Sequence, residues 1–417
     1  MNFHIKYLAY RQAGKIQNTL YHQDSFTLVE MIVVIAILTI LTAAAVVVIN
    51  PVEWLKQSRD VQRITDLKNI QSIIGKYKYS GNRIGSLGNS NTVYVSLVDA
   101  SSSSCADLGL PALASGWVYS CVTSTSTLQD VDGTGWIPIN ISSLGILPSL
   151  PIDPSNNATS NLYYSYIVNS SGQFELTATL ESQKKLKDTA LVDSGTDPAK
   201  YEVGETLTLW TQASGLVGYW PFENSLSDNS GLGFNGTWYG TSTSRYVPGK
   251  VGFSAGFFNG SSDYVDIPYN QSLSITNSAT LSGWIFSTST SAYQSIVGIQ
   301  NAHRFLAVGG GNAMNGWWNT SLLDAAYTGY ACNYLNGWHY AALTYTSSDG
   351  YLRLYCDGLP VGSKYYGGTL AVSTNDTTIG VRSQSLNLYV AGSIDDVRVY
   401  SRALSTSEIQ NIYNATK

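Results

Sequence analysis

A chain of 417 residues with a net charge of −5 and only 12% charged side chains lacks the basic excess that nucleic-acid binding requires, so no nucleic-acid partner is expected. Solubility falls to Ser, Thr, Asn and Gly. With 29 Tyr and 10 Trp, this is the composition of extended strands joined by polar loops.

Residues 1–25 carry Lys6, Arg11 and Lys15, and then "SFTLVEMIVVIAILTILTAAAVVVINP" runs from Ser25 to Pro51. No charge interrupts Met31 to Ile49, which at about 1.5 Å per residue covers roughly 28 Å, the thickness of a bilayer core. The segment is longer than the apolar centre of a secretory signal peptide, and no small-residue cleavage box follows it. A membrane helix is predicted. Glu30 near its front calls for a cation that the helix itself does not supply. Phe26-Thr27-Leu28-Val29-Glu30 followed by an apolar run resembles the processing site of bacterial type IV pilins and type II secretion pseudopilins. That resemblance implies a leader over 1–25, a cut by prepilin peptidase between Ser25 and Phe26, methylation of the new amine, and pairing of Glu30 with the N-terminal amine of a neighbouring subunit. Ser25 departs from the family, which usually has Gly there. The plainer alternative is a signal anchor whose Glu30 lies at the headgroup level without a role.

Beyond Pro51, which should kink or break the helix, Leu55, Val61, Ile64, Leu67, Ile70, Ile74 and Tyr77 recur at helical spacing. Gly81, Gly85 and Gly88 end the pattern. The helical part is therefore set at 26–80 and a small globular domain at 81–181. There "TVYVSLV" and "YYSYIVNSSGQFELTATLE" alternate as strands, the second around a Ser-Ser-Gly turn. Preceded by "LPSLPIDPSN", this hairpin resembles the end of major-pseudopilin globular domains, which implies an α+β pilin-like fold. The polar stretch 182–215 reads as a linker.

From 216 to 417, short alternating strands recur between Gly, Asn, Ser and Asp, the pattern of an antiparallel sandwich. "GLVGYWPFENSLSDNSG", "SAGFFNGSSDYVDIP", "YLRLYCDGLPVG" and "GSIDDVRVYSRALSTSEIQNIY" resemble the laminin-G-like, concanavalin A-like jelly roll of bacterial surface proteins. At its end, Ser405 and Glu408 make a capping box and Leu404 with Ile409 a staple, so a helix is predicted from Thr406 to about Tyr413.

The four cysteines fall as local pairs, Cys105 with Cys121 and Cys332 with Cys356. They are two disulfides in an oxidising compartment or four buried thiols; sequence alone leaves both open. Glucanase and zinc-hydrolase chemistry have no carrier: there is no Glu-x-Asp-x-x-Glu and no His-Glu-x-x-His, and the adjacent Asp395 and Asp396 should face opposite sides of a strand. The jelly-roll resemblance implies a structural calcium, with Asp228 and Asp395 as candidate ligands; a turn for Asp228 and a backbone cap for Asp395 are the alternatives. Trp317, Trp318, Tyr365 and Tyr366 are candidate ligand-stacking aromatics, with one of each adjacent pair expected in the core. The expected protein is a minor pilin or pseudopilin of the bacterial inner membrane. It passes the membrane once, assembles with other subunits and displays a module for a glycan or surface protein. A non-polymerising anchored lectin and a tethered glycan hydrolase are the alternatives.

Overall fold

The computed structural model describes residues 27–80, 87–289, 293–299, 304–309, 313–318, 321–324, 332–367, 374–382 and 387–417. They fall into two units, 1–54 and 55–417.

In the first unit, helix α1 covers Leu28–Ile49. It stops where Asn50 takes a left-handed φ of 43°. Asn50 then accepts the Glu53 backbone N–H at 3.3 Å, and Pro51 opens helix α2, Pro51–Tyr79. Proline at the first helical position loses nothing, because that N–H would have had no partner. The break expected at Pro51 is thus a cap and a restart.

In the second unit, α2 lies on a five-stranded sheet built from β1 (Thr92–Val98), β2 (Val118–Val122), β3 (Tyr164–Val168), β4 (Phe174–Thr179) and β5 (Lys200–Gly204). The spatial order is β2-β1-β3-β4-β5, with β1 and β2 parallel and the other pairs antiparallel. Leu67, Ile70 and Ile74 of α2 pack on Tyr164, Tyr166 and Leu176 of the sheet. The helix meets the sheet differently from the simple apolar stripe at its front: Leu55 and Val61 are exposed, whereas Asp60 and Arg63 are fully buried. The Arg63 guanidinium binds Asp153 through two hydrogen bonds of 2.6 and 2.8 Å, Asp60 at 2.8 Å and Glu181 at 2.6 Å. Asp153 comes from the Pro-Ile-Asp-Pro loop at 151–154, so this loop and the end of β4 are tied to the helix by charge.

Residues 182–215 are not a linker. β5 pairs with β4 along the sheet edge, and the helix Leu209–Ser214 covers the sheet's second face, where Leu209 and Trp210 pack on Val93, Val95 and Ile167. The stretch reads as polar, yet two of its charges, Lys200 and Glu202, are buried: Lys200 sits 4.4 Å over the Trp210 ring, and Glu175 of β4 accepts the Leu209 and Trp210 N–H groups.

The rest of the unit is an antiparallel sandwich. Among the described residues one sheet has seven strands in the order Ser321–Asp324, Ala313–Trp318, Arg304–Gly309, Gln294–Gly298, Thr377–Ile379, Tyr264–Ile267 and Thr237–Tyr239. The other has eight, running Leu359–Tyr365, Tyr351–Cys356, Trp338–Thr346, Ser278–Ser287, Ala391–Tyr400, Ser254–Asn259 and Tyr246–Pro248, with Leu216–Trp220 also paired to Ala391–Tyr400. Trp220, Phe258, Leu281, Val297, Leu306 and Ile394 lie in the core between them. Gly316 permits the close approach of the sheets, since a Cβ there would stand 2.4 Å from Leu343 Cδ1. The closing helix runs Thr406–Thr416, with the Ser405–Glu408 capping box formed, and covers Trp284, Tyr340 and Tyr400 on the outer face of the eight-stranded sheet. Its Ala415 reaches the packing under α2. Arg398 donates to the Thr196 carbonyl at 2.7 Å and Arg402 to the Ser214 carbonyl at 2.6 Å, so the sandwich and the small domain share a hydrogen-bonded seam.

Candidate functional site

Ser25 and Phe26 lie outside the described residues. At the start of α1, Thr27 donates its N–H and hydroxyl to Glu30 Oε2 at 2.8 and 2.9 Å, and Glu30 N donates back to the Thr27 hydroxyl at 3.2 Å. This is a capping box, legible in Thr-x-x-Glu and missed because the acid was read only against lipid. Leu28, Val29, Met31, Ile32, Ile37, Ile40 and Leu41 are all at least half exposed. Among the described residues no helix is long and apolar enough to cross a membrane.

The cysteines are joined as Cys105–Cys121 and Cys332–Cys356, with Cα separations of 5.5 and 6.0 Å.

The two calcium candidates do not fit a cation site. Asp228 accepts Tyr219 N and Ser230 N at 2.9 Å on Oδ1, and Ser230 Oγ at 2.8 Å and Phe234 N at 3.0 Å on Oδ2. Four donors fill it, and it holds a loop. Asp395 Oδ2 accepts Lys250 N at 2.8 Å and Val251 N at 2.9 Å, while its Oδ1 is buried without a partner. Burial pushes this carboxyl up to about 8. A hard cation needs six to eight oxygens, and both carboxylates face N–H donors instead. Among the described residues neither aspartate belongs to a group of three candidate ligands. Asp395 and Asp396 do not simply alternate, because Asp396 takes a φ of 52° at a register shift within the strand Ala391–Tyr400. Both are buried, and Asp396 binds Arg398 through two hydrogen bonds of 3.1 and 3.0 Å, so neither reaches a substrate.

Of the aromatic candidates, Trp317 and Trp318 lie in the strand Ala313–Trp318, but their side chains are outside the described ones. Tyr365 and Tyr366 divide: Tyr366 packs on the sandwich core, and Tyr365 is 64% exposed and stands 5.5 Å from Tyr351. A second platform went unread. Tyr239 on the edge strand pairs in register with Tyr264, and their rings stack at 5.2 Å and 11°, with Tyr389 at 6.4 Å edge-on to Tyr264. One face of Tyr239 rests on Tyr264, and the edge position leaves the other open; the residue is 47% exposed. Asp266, two residues after Tyr264, shares its face. Burial and the nearby Asp376 push its carboxyl up to about 6. Trp-Tyr-Gly and Asp-Tyr-Val-Asp carry no local signal of this meeting, because it depends on which strands become neighbours.

Residues 259–410 match the family described as the concanavalin A-like lectin/glucanases superfamily, and residues 21–46 match the prokaryotic N-terminal methylation motif. The chain therefore joins a prepilin-type N-terminus to a concanavalin A-like jelly roll. No curated protein matches it. Among solved structures, domain 4 of AbnA, an extracellular arabinanase from Geobacillus stearothermophilus, is similar at 20% identity and a TM-score of 0.39, over 47% of this chain and 97% of that one. The receptor-binding domain of botulinum neurotoxin C/D mosaic serotype is similar at 17% identity and a TM-score of 0.37, over 48% of this chain and 51% of that one. The binding domain of Paraclostridial mosquitocidal protein 1 is similar at 15% and 0.38, over 48% and 52%. The chain thus spans about half the length of the latter two. Scores this low carry no argument, and the sandwich stands on its own strand order.

Proposed function

We propose that this chain is a minor pilin- or pseudopilin-like subunit, inserted in the bacterial inner membrane through residues 31–49, cut by prepilin peptidase before Phe26, and assembled into a surface filament on which it displays a glycan-binding jelly roll. The observation that carries this reading is the presence, on one chain, of a methylation motif at 21–46 and a lectin/glucanase-family domain at 259–410. Exposed apolar side chains from Leu28 to Leu41 support it, because a surface this apolar is covered by lipid or by other subunits. The helix α2 packed on β1 to β5 suits a pilin-like domain. A bulky sandwich on every subunit would obstruct dense packing, which favours a minor position.

The intrachain Thr27–Glu30 capping box favours one competing reading, a plain anchored lectin in which Glu30 only caps a helix. Glu30→Gln separates the two, since glutamine keeps the capping geometry and loses the charge. Loss of filament incorporation in Glu30→Gln, matching Glu30→Leu, is the expected result; normal incorporation would assign Glu30 to the cap alone. For the displayed module, the open Tyr239 ring beside Tyr264 and Asp266 gives a sugar face a stacking partner and an acceptor. Tyr239→Ala should abolish retention on a cell-surface glycan, with Tyr365→Ala having a smaller effect. Equal retention by Tyr239→Ala would remove the platform from the account.

A further inference from the structure

The Cys332–Cys356 bridge has a neighbour that a disulfide does not need. Cys356 pairs in register with Ala341, and His339 lies two residues before Ala341 on the same face of that strand, so the imidazole arrives beside the sulfurs. One ring nitrogen of His339 and the two Sγ atoms all lie within 4.8 Å of one another. In a tetrahedral zinc site neighbouring ligand atoms stand roughly 3.5 Å apart, a spacing the two sulfurs can reach only by separating once their bond is reduced. Asp357, directly after Cys356, accepts the Tyr340 N–H at 2.9 Å and sets its Oδ2 2.8 Å from His339 Nδ1. That contact holds Nδ1 protonated and leaves Nε2 its lone pair, the arrangement by which a carboxylate orients a metal-binding histidine. Both cysteines are buried, while a quarter of the His339 side chain is exposed, which gives an ion a way in.

We propose that Cys332, Cys356 and His339 form a three-ligand site for a borderline divalent ion such as Zn²⁺, filled when the disulfide is reduced, with water in the fourth position and Asp357 as the residue that positions His339. A dithiol reductant delivers two electrons and two protons to the Cys332–Cys356 bond and becomes a disulfide itself. The two thiols formed release two protons to solvent as their thiolates bind the ion. Disulfide and ion are mutually exclusive, and each ties the loop at Cys332 to the end of the strand Tyr351–Cys356. The inference does not depend on adhesion or assembly.

The test uses the full chain in detergent, reduced with dithiothreitol, desalted without oxygen and titrated with Co²⁺ alone. One equivalent should produce the d–d bands and thiolate charge-transfer absorption of a tetrahedral site, and one equivalent of Zn²⁺ should bleach them. Cys356→Ser should lose the charge-transfer band, and His339→Ala and Asp357→Asn should bind about ten- to a hundredfold more weakly. The oxidised chain should give no bands. Absence of bands in the reduced chain overturns the proposal, and so does unchanged affinity in His339→Ala, which would mean that thiols act alone, including those of Cys105 and Cys121. Circular dichroism guards against unfolding: if reduction unfolds the sandwich, Zn²⁺ must restore it in the parent chain and fail to do so in His339→Ala, and failure to restore the parent also counts against the site.

Discussion

Arg63 and Arg398 are both fully buried, and they are held in different ways. Arg63 meets three carboxylates, Asp60, Asp153 and Glu181, drawn from α2, a distant loop and the end of β4. Arg398 meets one carboxylate, Asp396, two residues away; its long-range partner is the Thr196 carbonyl, and its plane lies 3.9 Å from the Tyr219 ring. Arg402 repeats the second pattern, with Glu408 nearby and the Ser214 carbonyl across the seam. The first seam ties a helix to its sheet through charge. The second ties the small domain to the sandwich through backbone. Removing the arginine from the first strands several buried charges, whereas removing it from the second strands one carboxylate and a carbonyl. The two seams should therefore fail by different amounts and in different ways.

The largest effect is expected at Arg63. Arg63→Met leaves Asp60 and Asp153 buried without their cation, while Glu181 keeps Arg59, at a cost of about 3–5 kcal/mol. Urea denaturation should show the small domain unfolding first; a loss under about 1 kcal/mol would mean that the seam is not charge-held. Arg402→Gln comes next, at about 1.5–3 kcal/mol for the hydrogen bonds to Glu408 and Ser214. Its signature is uncoupling: calorimetry should split one transition into two, and a single transition at the parent's temperature would contradict the seam.

The pH response sharpens the comparison. Burial pushes Asp395 up to about 8 and Asp193 up to about 6, from an ordinary value of 3.8. The folded chain therefore holds protons that the unfolded chain releases. That stabilisation is complete below about 3.8 and is lost as pH rises through 6 and then 8. Glu181 and Glu408 run the other way: burial raises them, but Arg59 with Arg63 and Arg402 respectively outweigh it and hold them below the ordinary range. Their stabilisation is present above that range and lost as pH falls. Urea midpoints should thus decrease from pH 5 to pH 8, and Asp395→Asn, whose amide oxygen still accepts from Lys250 and Val251, should flatten the decrease by up to about 1.4 kcal/mol per pH unit. The same slope in variant and parent would exclude Asp395 as its source. Smallest is Ser405→Ala, expected to cost about 1 kcal/mol through the lost cap.

Legibility in the sequence followed the same division. β1 stands where "TVYVSLV" alternates, the β3–β4 hairpin turns at Ser-Ser-Gly, and the closing helix starts at its capping box, because each signal lies within a few residues. The 182–215 stretch was misread because what it offers Arg398 and Arg402 are the carbonyl oxygens of Thr196 and Ser214, which every residue has and no sequence pattern marks. Lys200 and Glu202 look solvent-facing until the sheet and Trp210 close over them. The Tyr239–Tyr264 platform and the His339 imidazole beside Cys356 depend on strand register, which composition does not specify.

The most direct measurement of the central claim is mass spectrometry of this chain's N-terminal peptide in filaments sheared from cells. A filament subunit of the proposed kind is expected in that fraction and begins at Phe26 with a methylated amine. Recovery only in the membrane fraction, or with residues 1–25 still attached, would contradict it.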